Sequence, residues 1–372
     1  MNPVRRTFLA RAAGASLAAL LPPAFAASAQ SSASSAMRFV PEPGDWRTFD
    51  VTTRVELPAT TSITRVWLPL PSVRTDWQQP VADTFSSNGA ARVVADGAQG
   101  VRMVTAEFAA DVAEPFVEVT SRVRTQSRAM RVQAPAAEST DTLQHALRAT
   151  RLLPTDGIVR DTALQATRGA RSDEAKARAI YDWVVANAWR EPSVKGCGEG
   201  DIRTMLETGN LGGKCADLNA LFVGLCRAAG VPARDVYGIR LAPSAFGYRQ
   251  LGSASDTLTR SQHCRAEVWL RAHGWTAMDP ADVAKVMREE RPEWIRRTDD
   301  PLIAPVFDAL YGAWEGNWMA YNTAHDVKLP GSQGEPVGFL MYPMAEDADG
   351  WFDSYDPEWF SYTIAAQGAG GA

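Results

Sequence analysis

Apolar and polar residues alternate at the start of the patterned part of the chain. Phe49, Val51, Thr53, Val55 and Leu57 fall on one side, with Asp50, Thr52, Arg54 and Glu56 on the other, the period of a half-buried strand. Val66-Trp67-Leu68 ahead of Pro69, Val101 to Thr105, and the series Val117, Val119, Ser121, Val123 predict further strands. Asn88-Gly89 and Asp96-Gly97 carry turn signals between them. Residues 45–130 therefore read as a small antiparallel, sandwich-like β domain. It contains no His and no Cys, and its scattered carboxylates suit a solvated face.

After Pro135 the period lengthens. Ser172-Asp173-Glu174 forms an N-cap with an acidic first turn, and Ile180, Trp183 and Val184 follow at helical spacing. A second helix is predicted from Cys215 to Ala229, its apolar stripe formed by Leu218, Leu221, Phe222, Leu225, Cys226 and Ala229 and its end set by Gly230-Val231-Pro232. Strands follow at Val236 to Leu241, His263 to Leu270 and Trp275 to Asp279, the last two joined through Arg271-Ala272-His273-Gly274. A helix followed by meandering strands indicates an α+β core at 140–300 in which the helix covers an antiparallel sheet. Beyond Pro292 the chain is rich in Trp and Tyr, with strand-like pieces at Trp318 to Asn322, Phe339 to Tyr342 and Phe360 to Ile364. This aromatic-rich extension, 301–367, is expected to pack on the core; packing is the commoner use of such residues, and lining a groove is the alternative. There is no internal repeat.

Composition adds little until the N-terminus is separated from the rest. The 372 residues are 45% hydrophobic and 22% charged, ordinary for a globular chain able to bury a core unaided. Residues 1–29 carry Arg5-Arg6, an apolar run from Ala12 to Leu21, and small residues around Ala24-Phe25-Ala26 and Ala27-Ser28-Ala29, the order of a twin-arginine signal peptide. The apolar run falls short of the ~20 residues needed to span a bilayer. An Ala/Ser-rich linker, 30–44, follows. These features predict a periplasmic protein with no membrane span in its mature form. The signal holds three of the 38 basic residues and none of the 43 acidic ones, leaving a mature formal charge of −8, which argues against nucleic acid as a partner. Export also places the four cysteines, Cys197, Cys215, Cys226 and Cys264, in an oxidising compartment. Cys226 sits on an apolar helix face, so Cys197 with Cys264 is the one pairing to consider.

The candidate chemistry lies in Cys215, His263 and Asp279, in that chain order. A thiol is mostly protonated at neutral pH, and only the thiolate attacks carbonyls; a helix start and a nearby imidazolium both favour the anion. Cys215 opens its helix after Gly212-Gly213-Lys214, glycines that would leave room for a substrate carbonyl to reach the backbone N–H groups. His263 shares a strand face with Arg265, Glu267 and Trp269, while Cys264, Ala266, Val268 and Leu270 face the core. Asp279 reaches the imidazole only if the connecting loop has odd length: a three-residue loop with Gly274 at a bulge sets it opposite Arg265 and diagonal to His263. The imidazole would then act as base and acid while Asp279 fixes its tautomer. Taken singly, each residue has a plainer reading as a buried Cys, a satisfied His and a turn-forming Asp. His145, His273 and His325 have no ligand-spaced companions, so neither a metal nor another cofactor is expected.

Several stretches together, Gly213-Lys214-Cys215-Ala216-Asp217-Leu218-Asn219-Ala220-Leu221-Phe222, Arg227-Ala228-Ala229-Gly230-Val231-Pro232-Ala233-Arg234, Gln262-His263-Cys264-Arg265-Ala266-Glu267-Val268, Gly274-Trp275 and Asp279-Pro280, resemble the core of the transglutaminase-like superfamily. The resemblance covers about residues 170–285. It implies a papain-like fold with a Cys-His-Asp triad at Cys215, His263 and Asp279, acting on an amide or peptide carbonyl through a thioester. Water as acyl acceptor makes a peptidase or amidase, a lysine amine makes a protein cross-linker, and a silent binding scaffold is the third possibility. A peptide or protein substrate is implied, with peptidoglycan stem peptides a candidate on location alone. Two departures stand out. Arg265 occupies a place where many members carry an aromatic residue, and Trp183 and Trp189 both lie near where some members keep an oxyanion-holding Trp.

Overall fold

The alternation near the N-terminus becomes strand β1 (Arg47–Glu56), with Phe49, Val51, Thr53 and Val55 turned inward. It is followed by β2 (Thr64–Leu70), β3 (Gln78–Ser87), β4 (Ala90–Asp96), β5 (Val101–Phe108) and β6 (Phe116–Thr125). The computed structural model describes residues 37–97, 99–131, 137–255, 257–356 and 360–369. The expected signal at 1–29 lies outside these residues, as does 30–36 of the expected linker. The middle of the chain contains α1 (Thr140–His145), α2 (Gly157–Ala166), α3 (Asp173–Asn187), β7 (Trp189–Arg190), α4 (Ile202–Thr208), β8 (Gly212–Gly213), α5 (Cys215–Ala228), β9 (Ala233–Arg240), β10 (Gln262–Leu270), β11 (Gly274–Met278) and α6 (Pro280–Glu289). The remainder holds α7 (Ala304–Ala309), β12 (Tyr311–Gly312), β13 (Trp318–Asn322), β14 (Met344–Asp347), β15 (Gly350–Trp351) and β16 (Tyr362–Ala369).

These strands build two N-terminal sheets and a central one. The first sheet runs β16-β1-β6-β3 and the second β15-β14-β2-β5-β4, and the two share a core that includes Val51, Val55, Val66, Leu68, Val104 and Val117. The third runs β12-β11-β10-β9-β13. The C-terminal segment therefore does more than pack on the core. It supplies both edge strands of the central sheet, β12 and β13, and an outer strand or hairpin to each N-terminal sheet, so the boundaries expected at 130 and 301 do not divide the hydrogen-bonded units. The piece Phe339 to Tyr342, expected as a strand, is irregular. Its Leu340, Met341 and Tyr342 are buried, and burial rather than pairing accounts for their apolar character.

Helix α5 is the axis of the core. Every residue from Cys215 to Arg227 is buried, because β9 and β10 cover one side while α2, α3 and α6 cover others. Leu221 and Phe222 are fully buried, and each contributes about 2 kcal/mol by apolar burial. A helix enclosed this way tolerates polar groups only when they are bonded. Arg227 donates from Nε to the Ala233 carbonyl at 2.9 Å and from Nη1 to the Arg148 carbonyl at 3.0 Å. The other face of the sheet is covered by Trp77, Trp314 and Trp318 against Val236, Ala277 and Ala320. Most of the aromatic extension is thus packing.

The loop between β10 and β11 sets the register on which the site depends. Leu270 pairs with Gly274 and Ala266 with Met278, leaving the three residues Arg271, Ala272 and His273 as the turn. Gly274 takes φ +75°, a left-handed conformation that closes the turn at little steric cost. Continuing the ladder by one step puts Asp279 opposite Arg265, the odd-loop register expected.

Candidate active site

Cys215 begins α5 because Asp217 organises the turn before it. One Asp217 carboxylate oxygen accepts from the Lys214 N–H at 2.9 Å, and the other accepts from Glu199 N–H at 3.0 Å and Gly200 N–H at 2.9 Å. This binds the loop carrying Cys197 to the helix start, where Ala216 N–H donates to the Cys197 carbonyl at 2.9 Å. The Cys215 N–H has no acceptor among the described residues and remains available for an oxyanion. Gly212 and Gly213 serve a purpose other than substrate access. A Cβ on Gly212 would meet the Trp189 indole at 2.5 Å, and one on Gly213 would meet the Asp217 side chain at 2.5 Å. The glycines let β8 lie against β7 and let the Asp217 side chain close over the turn.

His263 and the residues around it form a dense buried charge cluster. Its Nε2 donates to Asp279 Oδ2 at 2.8 Å, and Asp282 Oδ2 lies 3.4 Å from the same nitrogen. Asp279 also caps α6, accepting at Oδ1 from Asp282 N–H at 3.1 Å and from Asn219 Nδ2 at 3.2 Å. Asn219, one turn along from Cys215, donates to the Cys264 carbonyl at 2.8 Å as well and ties the helix to the strand. Arg240 donates to Asp282 at 2.5 Å, and Arg265 Nε stands 3.5 Å from Asp279 with its guanidinium 4.7 Å from the Trp318 ring centroid. With Asp279 on Nε2, Nδ1 is the nitrogen left for Cys215.

The balance of these groups favours an ion pair. Burial alone would raise the Cys215 thiol, but the polar neighbours Cys197, Cys264 and His263, with the charge of His263, hold it well below the ordinary thiol value. Burial and Arg240 press the imidazole down, while Asp282 and Asp279 more than offset them and lift it to about 9. Burial and the neighbouring Asp282 push the Asp279 carboxyl up. Asp282 opposes burial through Arg240 and His263 and stays well below the usual carboxylate range. Burial lowers Arg265 to about 10, which leaves it charged at neutral pH. Asp279 and Asp282 thus sit against Arg240 and Arg265, and moving the proton from Cys215 to His263 leaves the net charge of the buried cluster unchanged.

His263, Asp279 and Asp282 are also the one group of metal-ligand type among the described residues, within 4.8 Å of one another. Both carboxylates already face guanidinium groups that would repel a cation, so the donor set suits a proton relay better than a metal. Two of the remaining histidines are engaged elsewhere: His273 Nδ1 bonds the Arg131 carbonyl at 2.8 Å, and His325 Nε2 stands 3.3 Å from Asp235.

The pairing of Cys197 with Cys264 is not formed; all four cysteines are free and buried. Cys197 Sγ donates to the Gln262 carbonyl at 3.3 Å, and Cys264 Sγ contacts Met341 Sδ at 3.8 Å, so each has a non-covalent partner. Cys226 is a fully buried core residue whose thiol is raised by burial.

A cleft of about 420 Å³ opens beside Cys215 and His263. Tyr342, Tyr355 and Tyr362 from the C-terminal segment form part of its wall, so three aromatics of the extension do line a groove. Its charged lining, His263 apart, is Arg190, Lys195, Lys214, Arg240, Arg260 and Lys285, with no Asp or Glu among the lining residues. Gln262 also lines it, and its buried Nε2 has no partner among the described residues. Position beside the base was the only sequence signal for Gln262. Neither Trp183 nor Trp189 lines the cleft.

A cysteine at the start of a buried helix, beside a His-Asp pair on an antiparallel sheet, is the arrangement of a papain-like α+β core. The profile of the Transglutaminase-like superfamily core matches residues 160–280. A Haemophilus influenzae protein described only as uncharacterized is 34% identical over 322 residues, spanning 82% of this chain and 86% of its own. The chain belongs to the transglutaminase-like superfamily. Among solved structures, a candidate cysteine protease from Cytophaga hutchinsonii aligns with TM-score 0.49 and 16% identity over 87% of this chain and 99% of its own. The periplasmic domain of TgpA from Pseudomonas aeruginosa aligns with TM-score 0.35 and 16% identity over 72% of this chain and 76% of the domain. Among the described residues no helix is long and apolar enough to cross a membrane.

Proposed function

We propose that the protein is an exported, periplasmic cysteine peptidase or amidase in which Cys215 attacks an amide carbonyl, His263 moves the proton and Asp279 orients the imidazole. The 2.8 Å contact of His263 Nε2 with Asp279, which leaves Nδ1 for the thiol, carries this reading. The thiolate adds to the carbonyl, and the oxyanion is met by the Cys215 N–H and the unpartnered Gln262 amide. Nδ1–H protonates the departing amine, the neutral imidazole then deprotonates water, and hydroxide releases the acid from the thioester. The lining, with cations and no carboxylate, favours water over a lysine side chain as acceptor. Peptidoglycan stem peptides are candidate substrates through location.

The test is digestion of a defined peptide library by mature protein, read by mass spectrometry. Wild type is expected to release free acids, and Cys215→Ala to release none while keeping its fold. Turnover surviving in Cys215→Ala would refute the assignment. Incorporation of dansylcadaverine into a glutamine peptide, with little free acid, would make the protein a cross-linker instead.

A further inference from the structure

The charge of the cleft opposes that of the chain. Acidic residues outnumber basic ones overall, 43 to 38, yet the lining of the cleft contains only cations among its fixed charges. Three of these are matched from behind: Arg190 by Glu289 at 3.0 Å, Lys195 by Asp353 at 2.9 Å, and Arg240 by Asp282. The other three are not. Among the described residues, Lys214, Arg260 and Lys285 form no ion pair, although the first and last are half-buried. Lys285 Nζ donates to the neutral Gln250 carbonyl at 2.9 Å, and Asp282 and Glu289 on its own helix act on it without forming an ion pair.

Half-buried ammonium groups are usually matched by carboxylates, because desolvation without a counter-charge is unfavourable. Here the open side of each faces the cleft. Lys214 immediately precedes the nucleophile, Lys285 projects from the helix that Asp279 caps, and Arg260 lies on the segment entering β10. We infer that the acyl donor is a peptide bearing carboxylates near its scissile amide, with Lys214, Lys285 and Arg260 as the groups that select it. The inference rests on the peptidase reading for the word donor, but recognition of the anion does not require turnover. Burial and Arg240 lower Lys285 to about 8 against the opposing pull of Asp282 and Glu289, so it is charged at neutral pH and gains from an incoming carboxylate. The acidic exterior repels the same peptide elsewhere, which concentrates binding at the cleft.

The probe is a fluorescein-labelled hexapeptide with two internal Glu residues and an amidated C-terminus, compared by anisotropy with its Gln counterpart bearing either an amide or a free C-terminal carboxylate. Mature Cys215→Ala protein serves as receptor, so binding is read without chemistry. The Glu peptide is expected to bind at least tenfold tighter than the Gln amide at low salt, with the advantage shrinking as salt rises. Arg260→Gln, an exposed change that leaves the fold intact, and Lys214→Gln should each lower that ratio severalfold. Should only the free-carboxylate Gln peptide gain affinity, the anion read is a chain terminus and side-chain selectivity is wrong. Equal binding of all three, or none by any, overturns the inference. Alkylation of Cys215 by neutral iodoacetamide in the wild type reports the nucleophile separately: a reactive thiol with unselective binding leaves the peptidase reading standing, and an inert thiol with selective binding leaves only the anion site.

Discussion

Asp282 Oδ2 stands 3.4 Å from His263 Nε2, one turn further along α6 than Asp279, whose own oxygen lies at 2.8 Å from the same nitrogen. The imidazole therefore has a second carboxylate in reserve. Asp279→Ala is expected to lower kcat/KM by about 10- to 100-fold, less than the roughly 10²–10⁴-fold loss expected for His263→Ala. Asp279→Ala combined with Asp282→Ala should reach the level of His263→Ala. A single Asp279→Ala as inactive as His263→Ala would show that Asp282 does not substitute. Removing the Asp279 cap should also cost about 1 kcal/mol of stability, measurable by urea unfolding.

Cys197 is one of the neighbours that hold the Cys215 thiol down, together with Cys264 and His263. Cys197→Ala should thus shift the pH profile of Cys215 alkylation to the alkaline side while leaving His263 and Asp279 in place. An unchanged profile would mean that the Cys197 proton stays on the Gln262 carbonyl, its other acceptor.

Folding moves a proton from thiol to imidazole rather than releasing one. Between about pH 6.5 and 8.5 the unfolded chain carries the proton on Cys215 and the native chain carries it on His263, so these two groups add no pH dependence to stability. Cys215→Ala removes half of the exchange. His263, raised to about 9 in the native state, then contributes stability that is fully present below its unfolded value near 6.5 and is lost as pH rises through about 9. Urea titrations should show Cys215→Ala weakening by up to about 1.4 kcal/mol per pH unit across that window relative to wild type. Parallel curves would show that Asp279 and Asp282 do not hold the imidazole up once Cys215 is removed.

Asp217 touches neither His263 nor the open cleft, yet it holds both sides of the helix start. Asp217→Ala leaves three N–H groups without that acceptor, and a loss of about 2 kcal/mol is expected together with slower alkylation of Cys215. Normal alkylation in a destabilised protein would limit Asp217 to a structural part.

The helix opened by Cys215, the strands that flank it and the odd loop before Asp279 were legible because each is written in local pattern: a 3.6-residue stripe, a two-residue alternation and a glycine in the turn. The charge cluster was not. Arg240 and Asp282 lie 42 positions apart, each with an ordinary local role as a strand end and a helix first turn, and only the packing of α6 against the sheet brings them to His263. Arg265 was visible as an oddity, but its place between Asp279 and Trp318 depends on β13, which follows more than fifty residues later. The C-terminal strands were read as strands without partners, since alternation reports a buried face and says nothing of which sheet supplies it.

Pairing of Val55 with Tyr362 joins residues about 300 positions apart, and without β16 the first sheet has an open edge at β1. At a synthesis rate of roughly 5–20 residues per second, about 15–60 s separate the two residues at the ribosome. Over that interval the nascent N-terminal sheets expose unpaired β1 and β2 edges, the kind of edge that templates wrong pairings. The final strand acts as a late latch, and its arrival time, set by translation, decides how long the young chain depends on protection from its neighbours.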